Sequence, residues 1–290
     1  MALDCRHVST QVYALADAKD DPLAPLVKEA LDVIDHALDT HGLDRVSLSF
    51  NGGKDCTVLL HLYAGALARR LGPSETLQPI PAIYIAVPSP FPMLEEFIDD
   101  AAEKYNLDLF LCRPPSERVE SVVTPLPPPL NANGVVDEDY VEAPKAVGKA
   151  KGAEGMKQAL EIYKNKFPDI EAILIGTRRT DPHGATLSHR NMTDAGWPRF
   201  ERVNPIINWD YAHVWAFLRK LDVPYCGLYD LGYTSLGSTY NTFPNPALLV
   251  ESPSPPVTKA ETSERAYRPA HELTDGSLER AGRGKPVLVA

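Results

Sequence analysis

What most constrains the fold of this chain is a repeated exchange between short apolar runs without polar alternation and longer runs of helical period. "RVSLSF" (45–50), "PAIYIAV" (81–87), "LDLFLC" (107–112) and "IEAILIGT" (170–177) are of the first kind. Between them, Val58, Leu59, Leu62, Tyr63, Ala66 and Leu67 share a face at spacings of three and four, and "PMLEEFIDDAAEKYN" (92–106) and "GMKQALEIYKNKFP" (155–168) repeat that period. Strands apolar on both faces must be covered on both, and strands separated by helices pair in parallel. The expectation is an α/β fold: a doubly wound, mostly parallel sheet with helices on both faces. A further helix is expected over 23–38, where Leu23, Leu26, Val27, Ala30, Leu31, Ile34 and Leu38 form one stripe, and Gly42 ends it.

Two stretches break the pattern. Residues 114–155 hold a proline run, mixed charges and scattered glycines, and "ESPSPPVTKAETSE" (251–264) precedes the C-terminal tail. They are expected to be a mobile surface insertion and the start of a C-terminal extension, so that 1–250 forms one nucleotide-binding catalytic domain and 251–290 adds arginines to its site. With 290 residues, 44% of them hydrophobic, a sizeable core is within reach. The net charge of −10 argues against a non-specific grip on nucleic acid. No apolar run reaches the roughly eighteen residues of a membrane-spanning helix, and the first twenty residues lack the apolar core of a secretory signal. The expectation is a soluble cytoplasmic protein with neither nucleic-acid nor membrane partners, its oligomeric state left open. Cys5, Cys56, Cys112 and Cys226 are scattered without a CxxC pair, so reduced thiols are expected rather than a disulfide or zinc framework.

Ligands of such sheets bind beyond the carboxyl ends of the strands, which directs attention to the turns after Phe50, Val87 and Gly176. In "NGGKD" (51–55) the amides of Asn51, Gly52, Gly53 and Lys54 fall at a helix N-terminus, where donors and dipole favour an anion. Neither GxxxxGK[ST] nor the third glycine of GxGxxG is present, and a tight turn without a ligand remains the alternative. After Gly176, Arg178, Arg179, His183 and Arg190 stand near Asp181 and Asp194. The cations suit phosphate and a carboxylate suits magnesium; a solvated loop with surface ion pairs is the alternative. Trp197, between Gly196 and Pro198, is a ring that a planar ligand could lie against. Asp210 reads as an N-cap, with Val214, Trp215, Phe217, Leu218 and Leu221 as core. Arg280 and Arg283, three apart, form a phosphate clamp or an untethered basic tail. Cys56, without a partner base, is read as packing.

"SFNGGKDCTVLLHL" resembles the pyrophosphate loop of the adenine nucleotide alpha hydrolase-like superfamily, usually Ser-Gly-Gly-x-Asp-Ser. Together with "IGTRRTDPHG", "NWDYAHVWAFL", "PYCGLYDLGYTSLG" and "LERAGR", it makes the chain similar to the fungal FAD synthases, FMN adenylyltransferases related to phosphoadenylylsulfate reductases, over 45–113 and 155–283. The resemblance implies that superfamily's fold and the conversion of FMN and ATP to FAD and pyrophosphate with Mg2+. It implies an ATP and pyrophosphate site at Ser49, Asn51, Gly52, Gly53, Lys54 and Asp55. It also implies contacts to FMN or FAD from Asp181, Asp194, Arg280 and Arg283, to which the residue reading adds Arg178 and Trp197. Asp55, Asp181 and Arg283 are the expected catalytic residues and Asp181 the expected metal ligand. Asn51 and Cys56 depart from the superfamily pattern in a way the fungal branch shares. FMN brings its own nucleophile, a phosphate oxygen, so alignment and charge screening would suffice. A reductase would need a redox cysteine after Cys226, and a non-catalytic nucleotide-binding module would not require the whole set.

Overall fold

The computed structural model describes residues 3–72, 75–113, 149–182, 184–250 and 266–284, with the side chains of 149–153 excepted. The strands are β1 (Val46–Ser49), β2 (Ile80–Ile85), β3 (Leu107–Cys112), β4 (Ala172–Leu174), β5 (Arg190–Met192) and β6 (Glu201–Val203). The helices are α1 (Cys5–Ala16), α2 (Ala24–His41), α3 (Lys54–Arg69), α4 (Pro92–Tyr105), α5 (Lys149–Lys166) and α6 (Tyr211–Lys220). The sheet runs β3-β2-β1-β4-β6-β5, with β5 alone antiparallel to its neighbour. From β1 the chain winds outward to β2 and β3, then returns to β4 on the other side of β1. That reversal opens a crevice beyond the carboxyl ends of β1 and β4.

Alternation along the strands sorts the core into two layers. Leu48, Ala82, Leu174 and Val203 face α1, α2, α3, α4 and α6, while Ile83 and Ile173 face Tyr163 of α5 together with Phe200. The doubly wound expectation is thus met. Helix α3 lies at the centre of the larger layer and is buried from Cys56 to Ala68, which is why its sequence is apolar almost all round. Helix α1, unforeseen in the sequence, buries Val8, Val12 and Leu15. It crosses α3 at Gly65, where an added Cβ would come within 2.7 Å of Val12 Cγ2.

Gly42 caps α2 at φ +90° and Asp210 is the N-cap of α6, both as expected, and His213 completes a capping box there. Helix α5 begins at Lys149, six residues before the expected start at 155. Residues 114–148 of the expected insertion, and 251–265 and 285–290 of the expected extension, lie outside the described residues. The β5–β6 hairpin was not expected either, its strands being three residues each and set in a polar segment. No described helix is long and apolar enough to cross a membrane.

Candidate active site

At the end of β1 the Phe50 amide donates to the Ile83 carbonyl, carrying the ladder one residue further before the chain turns. Gly52 takes φ +70°, and a Cβ there would lie 2.7 Å from both Ile98 Cγ1 and Leu94 Cδ1 of α4. The turn is therefore pressed on α4 in a conformation only glycine adopts freely. Its amides are largely engaged within the protein. Asn51 Oδ1 accepts from the Gly53 amide at 3.0 Å and from Cys56 Sγ at 2.9 Å, and the Asn51 amide donates to Cys56 Sγ at 3.4 Å. The Lys54 amide donates to the Tyr229 hydroxyl at 2.8 Å. This corrects the picture of bare helix-terminal donors: at Asn51, Gly53 and Lys54 the amides have internal partners. The two departures from the superfamily pattern, Asn51 and Cys56, form one hydrogen-bonded pair. Burial pushes the Cys56 thiol up to about 12, which disqualifies it as a nucleophile.

The loop after β4 backs directly onto this turn. A Cβ on Gly176 would stand 3.0 Å from the Cys56 amide nitrogen and 3.1 Å from the Asp55 carbonyl carbon. That approach brings Arg178, 1% exposed, against the start of α3 beside Lys54, 2% exposed. Three carboxylates from three segments converge on these two cations. Asp55 Oδ1 lies 3.0 Å from Arg178 Nε and Asp55 Oδ2 3.0 Å from Lys54 Nζ. Asp181 Oδ1 lies 3.2 Å from Arg178 Nη2, and its Oδ2 accepts the Arg178 amide at 2.8 Å. Glu279, from the C-terminal segment, holds Arg178 Nη2 at 2.7 Å and also pairs with Lys54. Lys54 Nζ sits 5.2 Å from the centre of the Tyr211 ring, and Arg178 Nη1 has no hydrogen-bond partner among the described residues.

Burial works against the charge on Asp55, but Lys54 and Arg178 outweigh it and hold the carboxyl below its usual range. Asp181 is pushed up instead, by burial first and by the negative charge of Asp55, against the pull of Arg178. The Arg178 guanidinium stays a cation, since Asp55, Glu279 and Asp181 together overcome its burial. Among the described residues no three His, Cys, Asp or Glu side chains are grouped to enclose a metal ion. The carboxylate oxygens nevertheless suit a magnesium ion that arrives on phosphate, and Asp181, 27% exposed, is the most open of the three.

The structure thus brings together Asn51, Gly52, Gly53, Lys54, Asp55, Arg178 and Asp181, with Ser49 half-buried at the end of β1. Arg178 lies beneath the acidic groups rather than open to a ligand. Arg280 is half-buried beside Glu279, whereas Arg283 is buried against Gly237, where any Cβ would overlap its guanidinium. They lie beyond a short 3-10 turn (Gly276–Leu278), so the two arginines do not share one helical face.

Asp194 and Trp197 stand apart from the charged cluster. Because β5 is antiparallel, the turn joining it to β6 lies at the amino edge of the sheet. There Thr193 pairs with Phe200, the Trp197 amide donates to the Asp194 carbonyl, and exposed Asp194 pairs with Arg202. Arg179 binds Asn208 and the Leu187 carbonyl, Arg190 binds Glu201, and His183 lies outside the described residues. Glu279 and Tyr229 escaped the sequence reading. Both lie inside quoted motifs, "LERAGR" and "PYCGLYDLG", where the arginines and the cysteine drew attention instead.

Comparison with known proteins supplies the remaining observations. The family model described as the phosphoadenosine phosphosulfate reductase domain matches residues 45–244. The "Probable FAD synthase" of Schizosaccharomyces pombe is 33% identical over 260 residues, 89% of this chain and 78% of that protein. The "Probable FAD synthase" of Caenorhabditis briggsae is 35% identical over 93% of this chain, which spans 42% of that protein's length. The crystal structure of Candida glabrata FMN adenylyltransferase in complex with FMN and the ATP analogue AMPCPP superposes with a TM-score of 0.70 at 29% identity, covering 99% of each chain.

Proposed function

Because the chain belongs to the phosphoadenosine phosphosulfate reductase domain family and, within it, to the FAD synthases, we infer that it is an FMN adenylyltransferase. It joins FMN to the adenylyl group of ATP and releases pyrophosphate. One observation carries the reading at the level of geometry: segments at the carboxyl ends of β1 and β4 and a third from the C-terminus meet at one charged cluster. That is where a doubly wound sheet binds nucleotides.

An oxygen of the FMN phosphate attacks the α-phosphorus, the new O–P bond forms, and the bond to the bridging oxygen of the β-phosphate breaks. Pyrophosphate leaves with the electron pair. The protein supplies no nucleophile and needs none; it aligns two polyanions and screens their repulsion. Lys54 and Arg178, both buried and paired to carboxylates, form the base of the cluster, and Arg178 Nη1 has no hydrogen-bond partner among the described residues. Asp181 would be the side chain to hold a magnesium ion bound with ATP, which would supply charge neutralisation at the phosphate oxygens. Asp55, kept ionised by its neighbours, orients Lys54 and Arg178 rather than accepting a proton. Arg280 and Arg283 act at the substrate phosphates, Arg280 by contact and Arg283 by anchoring the segment. The reductase reading is not favoured: Cys226 is buried and its thiol is pushed up.

The test is direct. Purified protein with FMN and MgATP should yield FAD and stoichiometric pyrophosphate, and riboflavin, which lacks the attacking phosphate, should be inert. Absence of FAD above background overturns the assignment.

A further inference from the structure

We propose that Glu279 is a positioning residue for adenylyl transfer, a role that rests on the reading above. Its carboxylate fixes Lys54 and Arg178 beneath the phosphate site and, through them, sets Asp55 and Asp181. The first support is convergence. Glu279 is the only acidic group among the described residues that pairs with both cations and comes from neither of the two strand ends forming the crevice.

The second support is that its backbone is built to stay. The Thr234 hydroxyl donates to the Glu279 carbonyl at 2.6 Å, and Asn245 Nδ2 donates to Thr234 Oγ1 at 2.9 Å and to the Leu278 carbonyl at 2.8 Å. Thr234 and Asn245 are buried, and between the two arginines the Phe243 amide closes on the Gly282 carbonyl at 2.9 Å. A surface ion pair would need no such underpinning, since exposed pairs contribute little.

The third support is charge. Three carboxylates, Asp55, Asp181 and Glu279, pair with two cations, Lys54 and Arg178, so that these five groups together carry one negative charge in excess. Substrates that are themselves polyanions meet that excess. Glu279 therefore weakens ground-state attraction while it enforces alignment, and the two effects separate by substitution. Glu279→Gln removes the charge and loosens the alignment. Glu279→Asp keeps the charge but loses one methylene of reach, so that it cannot span Lys54 and Arg178 together.

Steady-state kinetics normalised to folded protein read the two effects. For Glu279→Gln, kcat should fall by about tenfold or more while KM for MgATP falls by about twofold or more. For Glu279→Asp, kcat should fall with KM for MgATP unchanged. A residue that only stabilised the fold would lower the melting temperature and leave both constants of the folded fraction intact. The proposal is overturned if Glu279→Gln keeps kcat within about twofold of the parent, or if its KM for MgATP rises. Should neither variant fold, Thr234→Val decides: it leaves every charge in place and removes the tether, so kcat should drop at constant KM, and an unchanged kcat sinks the idea. A parent enzyme that makes no FAD would instead bring down the functional assignment itself.

Discussion

At the residue scale, His61 shows how a titratable group can be decoupled from the chemistry and still govern behaviour in acid. It is buried in α3 with Nδ1 2.8 Å from the Tyr105 hydroxyl, its ring edge-on to Phe217 and Nε2 without a hydrogen-bond partner among the described residues. Burial lowers its pKa from 6.5 to about 4. The unfolded chain therefore binds a proton that the folded chain refuses between those values. Stability from this residue is whole above pH 6.5 and is lost as pH falls toward 4, by about 3 kcal/mol in all. Urea unfolding at pH 7 and pH 4.5 should show this decline, and His61→Phe should flatten it. An equally steep decline in the variant would assign the acid sensitivity elsewhere.

At the scale of elements, the strand-turn-helix at residues 46–69 was legible because period and turn chemistry agree there: apolar strand, two glycines, then a helical stripe. Helix α6 was legible through its cap, and Trp215, Phe217 and Leu218 are buried as the spacing required. What escaped was information that resides in pairing between distant segments. The β5–β6 hairpin is too short and polar to announce itself, and its antiparallel sense carried Asp194 and Trp197 to the far edge of the sheet. The engagement of the Lys54 amide was likewise invisible, because its partner Tyr229 lies 175 residues away.

Two glycines separate local strain from element contact. Gly196→Ala meets only an unfavourable φ of +83° with open space around it, and should cost about 1 kcal/mol. Gly52→Ala adds collision with Leu94 and Ile98 of α4 to a similar φ, so it should cost about 1–3 kcal/mol more and displace the turn. Chemical denaturation of the two variants measures the difference, and equal losses would mean that α4 yields freely.

At the scale of the whole molecule, the charged cluster ties together Asp55 and Glu279, 224 positions apart, through a shared guanidinium. Closing so long a loop is slow compared with forming the neighbouring strands and helices, and it becomes favourable only once both ends have surfaces to dock on. Renaturation should therefore proceed in two stages. Emission from Trp209 and Trp215, which report the interior around α6, should recover first, and the capacity to make FAD should follow after a lag. Superimposable recovery of light and catalysis would argue that the tail is captured as the sheet assembles. With a lag, a refolding chain passes through an interval in which it is already compact yet catalytically silent, and the docking of the segment that carries Glu279 is what switches it on.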